Sequence, residues 1–301
     1  MAVLLIGTLD TKGTEVRFVR DLMREHAVEV VVIDAGVLGE PAFEPDIARS
    51  RVFAAAGTTW EAMCDAADRG QAVTKAAAGV AQVARELQAR GQVQGVLGLG
   101  GSAGTTIGTA AMRAMPFGVP KLMVSTLASG QTRPYVGERD IAMLYSVVDI
   151  SGINRISRTV LTNAAMAMVG MAAHHSPLTT HHPPTDKPLI TATMFGVTTP
   201  CVEGSRKILE AAEYEVLVFH ATGSGGRAME SLITDGLIEG SLDITTTELA
   251  DELVGGVLSA GPDRLTAAAA RGIPQVISVG ALDMVNFGPP DSIPQKFTSR
   301  D

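Results

Sequence analysis

Residues 98–106, Gly-Leu-Gly-Gly-Ser-Ala-Gly-Thr-Thr, follow directly on the apolar run 93–97 and lead into the small-residue stretch Ala110-Ala111-Met112. That order reads as strand, tight turn, helix start. Gly98, Gly100, Gly101 and Gly104 carry no Cβ, so their backbone can adopt positive φ and come close to a ligand. Successive N–H groups of such a turn, joined to those of a helix's first turn, form a cavity for an anion such as phosphate. Ser102, Thr105 and Thr106 add hydroxyls that can donate to the phosphate or reach a magnesium ion bound to it. The run is neither the full dinucleotide fingerprint nor a P-loop, which would end in Gly-Lys-Ser/Thr. The plain alternative is a glycine turn that only lets a helix pack closely on a sheet.

Other polar groups stand at equivalent places. Asp10 and Lys12 fall in the turn 7–13, just past the apolar run 2–6, where an open sheet puts its ligands; helix capping by Asp10 or Thr11 is the competing reading. Asp34 ends the run 28–33, a position from which an acid can hold a ribose. The turn Gly7-Thr8-Leu9-Asp10 lacks GxGxxG, however, so a dinucleotide oxidoreductase is the weakest of the functions considered. A second glycine-rich turn occupies 221–230. There Gly223, Gly225 and Gly226 can form an anion nest with Arg227 as counter-charge, and His220 at the strand exit is a candidate acid–base group supported by Glu230. His220, Arg227 and Glu230 are thus the candidate catalytic set, acting on a small acidic substrate between two domains. The competing reading is a helix-starting turn with an internally bonded histidine.

These groups need a scaffold, and the periodicities supply one. Apolar runs at 2–6, 28–33, 93–97, 119–126 and 141–148 alternate with helical patterns at 14–24, 71–90, 106–115 and 152–171. Continuous apolar strands separated by helices mean a mainly parallel sheet covered on both faces. The same logic restarts at 189, with strands expected at 189–194, 216–219, 240–245 and 272–280. Residues 174–188 hold prolines and four of the six histidines without an apolar period, as a linker does. The expected organisation is therefore a nucleotide-binding domain over 1–173, a Pro/His-rich linker over 174–188, and a second α/β domain over 189–301. Nothing at the end of the chain closes the second sheet, so that domain is expected to be incomplete at its carboxyl terminus.

With 301 residues and a formal net charge of −8, the chain lacks the basic balance of a nucleic-acid or anionic-membrane surface. No apolar run reaches the length of a transmembrane span. Cys64 and Cys201 stand in no metal-ligand spacing and read as buried residues of a reduced, cytoplasmic protein. The paired histidines of the linker make a weak site, so no metal-ligating residues are assigned.

Taken together, residues 7–13, 98–106, 149–154, 220–230 and 283–289 resemble, over essentially the whole chain, an uncharacterised bacterial and fungal family that includes the amino-terminal domain of the tomato mosaic virus resistance protein. The resemblance implies two Rossmann-like three-layer α/β domains. It also implies ATP binding in the first, through Asp10, Lys12, Gly100, Gly101, Ser102, Thr105 and Thr106; the plant relative's amino-terminal region binds ATP and a viral replication protein. Members continue roughly a hundred residues further, in line with the open second sheet. ATP with Mg2+ is the expected cofactor pair and a homo-oligomer, a dimer, the expected assembly. Whether the chain is an enzyme stays open: the alternative is a nucleotide-responsive interaction module without turnover.

Overall fold

The computed structural model describes residues 1–66, 68–173 and 187–297; most of the expected linker, with its histidines, lies outside them. The chain divides into two compact units, Met1–His181 and His182–Asp301.

In the first unit the elements run β1 (Ala2–Gly7), α1 (Leu9–Glu25), β2 (Val30–Asp34), α2 (Arg49–Ala55), α3 (Trp60–Asp65), α4 (Arg69–Ala89), β3 (Val93–Gly100), α5 (Ser102–Arg113), β4 (Lys121–Ser125), α6 (Arg133–Val136), β5 (Ala142–Tyr145) and α7 (Arg155–Ala173). All strand pairs are parallel, in the order β2-β1-β3-β4-β5. Alternate strand residues feed opposite cores, the signature of a sheet buried on both faces. Leu4, Ile6 and Val96 pack with Val52, Val80 and Met112 on one side, while Val3, Leu5 and Leu97 pack with Val16, Leu161 and Met168 on the other. The result is three layers, α/β/α. Strand order reverses between β1 and β3, and in open sheets of this kind ligands sit outside the carboxyl ends of the strands at that switch.

The second unit repeats the plan with fewer strands: β6 (Leu189–Met194), α8 (Thr199–Ala211), β7 (Glu215–His220), α9 (Ser224–Thr234), β8 (Gly240–Thr245), α10 (Thr247–Val254), α11 (Ala267–Arg271) and β9 (Gln275–Gly280). Its sheet is again parallel, ordered β7-β6-β8-β9. Met229, Ile233 and Ala268 cover one face, and Val202 with Leu209 the other.

Several expectations shift in detail. Helix α1 begins at Leu9, not Thr14, so the supposed turn 7–13 is largely the helix's own first turn, kinked at Lys12 (φ −127°, ψ 15°). Helix α5 likewise starts at Ser102 rather than Thr106. Between β2 and α4, Ile47 bridges to Ile33, and α2 and α3 follow. Both cysteines are exposed rather than buried. Among the described residues no helix is long and apolar enough to cross a membrane.

Candidate functional site

A cavity of about 200 Å3 opens at the β1/β3 switch, lined among others by Asp10, Lys12, Arg69, Gly101, Ser102 and Gly104. Sequence segments ninety residues apart are brought together there because β1 and β3 are neighbours.

One wall is the start of α5. Thr105 N–H already donates to the Gly101 carbonyl. The amides of Ser102, Ala103 and Gly104, the orphans of any helix start, have no acceptor among the described residues. They bring the positive end of a 12-residue helix to the cavity. None of the four glycines here takes positive φ; their use is close approach. A Cβ on Gly100 would lie 2.6 Å from the Gly104 Cα, so strand and helix cross through two missing side chains. Gly98 faces Met123 Sδ and Gly108 in the core and takes no part in the cavity. Gly101 is different: its nearest neighbour to an added Cβ is Thr126 Oγ1 at 3.6 Å, on the open side.

The hydroxyls separate. Thr105 is fully buried and shares a 2.6 Å hydrogen bond with Ser125. Thr106 donates to the Ser102 carbonyl at 3.0 Å. Ser102 alone is exposed and lines the cavity.

The opposite wall comes from β1–α1. Asp10 Oδ2 accepts from the amides of Leu38 (2.7 Å) and Gly39 (3.2 Å), which fastens the loop after β2. Its Oδ1 is buried without a partner among the described residues, an uncommon state. Lys12 lines the same space, but its ammonium donates to the Ile150 carbonyl and ties α1 to the segment before α7. Arg69, at the start of α4, supplies an exposed guanidinium with no ion-pair partner among the described residues. The sequence reading missed Arg69, since a lone arginine behind a capping aspartate carries no pattern.

Asp34 is held inside the fold. It is 1 % exposed; Oδ1 accepts from the amides of Leu9 and Gly36, and Oδ2 pairs with Arg49 Nε at 2.8 Å. Both oxygens are thus engaged within the fold.

The second unit's candidates are engaged too. Gly223 has φ +79°, and the amides of Gly223 and Gly226 do form an anion nest. The anion is the protein's own: Glu248 Oε1 accepts from both, at 2.7 and 3.1 Å. Gly225 is needed because a Cβ there would collide with the His220 carbonyl. Arg227 donates to the Ser259 carbonyl at 2.9 Å. Glu230 turns away from His220 and accepts from Arg264 and from the amides of Leu265 and Ala267. His220 is exposed and stacks on Phe195, ring centres 5.4 Å apart. The centre of this cluster is Arg264, buried with Asp243, Glu248 and Glu230 around it. Burial works against its charge, but Asp243 and Glu248 outweigh that and hold its pKa above the ordinary arginine value. Among the described residues no group of three or more His, Cys, Asp or Glu could hold a metal ion.

A parallel open sheet with helices on both faces and a crevice at its switch point defines the class: two Rossmann-like α/β units in one chain. The profile of the Uncharacterised protein family (UPF0261) N-terminal domain matches residues 1–177, and that of its C-terminal domain matches residues 187–301. The chain belongs to the UPF0261 family. It is 52 % identical over 299 residues to a UPF0261 protein of Clostridium tetani, covering 99 % of this chain and 73 % of that one. It is 43 % identical to the ToMV resistance protein Tm-1(GCR237) of Solanum lycopersicum, over 99 % of this chain and 42 % of the plant protein. Among solved structures, a putative UDP-N-acetylglucosamine 2-epimerase from Listeria monocytogenes aligns with 92 % of this chain and 78 % of its own at 13 % identity. Its TM-score of 0.31 is too low to carry any argument.

Proposed function

We propose that the first unit binds the phosphate end of a nucleotide, ATP in the leading reading, at the β1/β3 crevice. The observation that carries this is the set of unpartnered amides at Ser102, Ala103 and Gly104, beside a cavity that Asp10 and Arg69 also line. A helix N-terminus favours a phosphate, and Arg69 adds positive charge without a proton to lose. About 200 Å3 accommodates phosphoryl groups and not a whole nucleotide, so the nucleoside would extend beyond it. A magnesium ion arriving with the phosphates would meet the Ser102 hydroxyl, an oxygen donor of the kind it takes. Thr105 and Thr106, already hydrogen-bonded, would support the turn instead of touching the ligand.

Calorimetric titration of the chain with ATP and magnesium tests the reading. Saturable heat, lost in Gly101→Val, is expected. The backbone at 101 is extended (φ −80°, ψ −153°) and an added Cβ would meet only Thr126 Oγ1, at an ordinary 3.6 Å, so the variant is expected to keep its fold while its side chain crowds the crevice that Gly101 lines. No saturable signal from the wild-type chain at millimolar nucleotide would refute it. A nucleotide-responsive module without turnover is the second reading, favoured by the internal engagement of Arg227 and Glu230. Phosphate release by the wild-type chain, retained in His220→Ala, would decide against a catalytic role for the second unit.

A further inference from the structure

The two sheets correspond strand for strand, β2-β1-β3-β4 with β7-β6-β8-β9, and α8 joins β6 to β7 as α1 joins β1 to β2. On the face that α1 covers, the first unit has a second helix. There α7 lays Leu161, Ala164, Ala165 and Met168 over Leu97, Leu99, Leu122 and Val124 of β3 and β4. On the matching face of the second sheet the covering helix residues, Val202 and Leu209, both belong to α8. Among the described residues only the 3₁₀ turns Pro290–Ser292 and Gln295–Phe297 follow β9.

The strands beyond the reach of α8 are nonetheless apolar. Ala192, Leu242 and Val276 stand side by side in register, as Leu5, Leu97 and Leu122 do in the first unit. Leu97 and Leu122 are 0 % and 5 % exposed, whereas Val276 is 62 % exposed. A groove of about 350 Å3 lies here beside α8, lined by Ile190, Leu209, Tyr214, Leu242, Pro274 and Val276 among others. Sheets of parallel strands are covered on both faces, and an apolar groove takes the apolar face of an amphipathic helix.

We infer that this groove is the docking site of one amphipathic helix, the counterpart of α7, supplied by the part of the UPF0261 polypeptide that this chain does not match. The C. tetani relative has such a part, since the 299 aligned residues make up 73 % of it. Strands β8 and β9 have six residues each, so they span about 20 Å, and a helix of about 13 residues covers that length. After the example of α7, its buried face carries leucine, alanine and methionine. A strand added at the free edge of β9 would leave Leu242 and Val276 uncovered, which is why the occupant is a helix.

The test adds the unaligned residues of the C. tetani relative, made as a separate polypeptide, to the full chain. Calorimetry should give saturable binding, and the methyl resonances of Leu209, Leu242 and Val276 should shift on saturation. These shifts decide the site without any variant. Val276→Asp, at an exposed position, should keep the wild-type melting temperature and weaken binding about tenfold or more, because it puts a charge against the helix's apolar face. Absence of saturable binding, or undiminished binding by Val276→Asp, overturns the proposal. So does binding that slows amide exchange along β9 and leaves the Leu209 and Leu242 methyls unmoved, the mark of strand addition. Self-association of the chain alone, abolished by Val276→Asp, would give the groove to a second copy and overturn it equally.

Discussion

The two units share strand order and each has a glycine-rich strand-to-helix turn, yet one turn is open and the other is filled. In the first unit the turn follows β3, at the switch in strand order, and its helix amides meet a cavity. In the second it follows β7, at the sheet's edge, and Glu248 occupies it. At the second unit's own switch, hydroxyls bond across the strand exits: Thr198, in the turn after β6, bonds Thr245 at 2.7 Å, and Thr245 Oγ1 donates to the Thr193 carbonyl. The second turn holds the protein's own carboxylate, whereas the free amides of the first face open space. A nest is defined by what faces it as much as by its glycines.

The largest expected effect comes from removing the cation that allows Glu248 to be buried. Arg264→Met leaves three carboxylates without their partner and should cost about 3–5 kcal/mol, read as a lowered urea midpoint. A loss below about 1 kcal/mol would mean that the cluster is solvated and the nest less firmly closed than described. Emptying the nest sharpens the comparison further. Glu248→Ala should be destabilised by about 2–3 kcal/mol, with part of the loss recovered in added phosphate, because Gly223 and Gly226 amides then lack an acceptor. Identical phosphate dependence in wild type and variant would break the claim that the two turns differ only by their occupant.

Asp34→Asn separates structure from binding in the first unit. It weakens the bond to Arg49 and should lower stability by about 1–3 kcal/mol while ATP affinity in the folded fraction stays put. A selective loss of affinity would restore the ribose role. The smallest effect is expected from Thr106→Ala, whose hydroxyl only returns to the Ser102 carbonyl; stability should stay within about 0.5 kcal/mol and nucleotide affinity within error.

Sequence periodicity and glycine position made the parallel sheets and the β1 and β3 exits legible, because a buried strand and a strand-to-helix turn are local patterns. Asp10, Gly101 and Ser102 could be picked out for the same reason. What a local pattern cannot carry is the partner that comes from elsewhere. Nothing near residues 223–226 announces that Glu248 will fill the turn, or that Arg264 will neutralise it. Asp34 stands where a ribose-binding acid stands, and nothing local announces that Arg49, fifteen residues on, will pair with it. Positive φ was the wrong reason to expect glycine at 98–104; close strand–helix contact is the reason the structure provides.

The central claim is the location of the phosphates, and a crystal structure of the chain grown with ATP and magnesium addresses it most directly. The account predicts phosphate oxygens within hydrogen-bonding distance of the Ser102, Ala103 and Gly104 amides, with Glu248 still seated on Gly223 and Gly226. Well-ordered nucleotide whose phosphates lie away from those three amides, or in a nest vacated by Glu248, would contradict it.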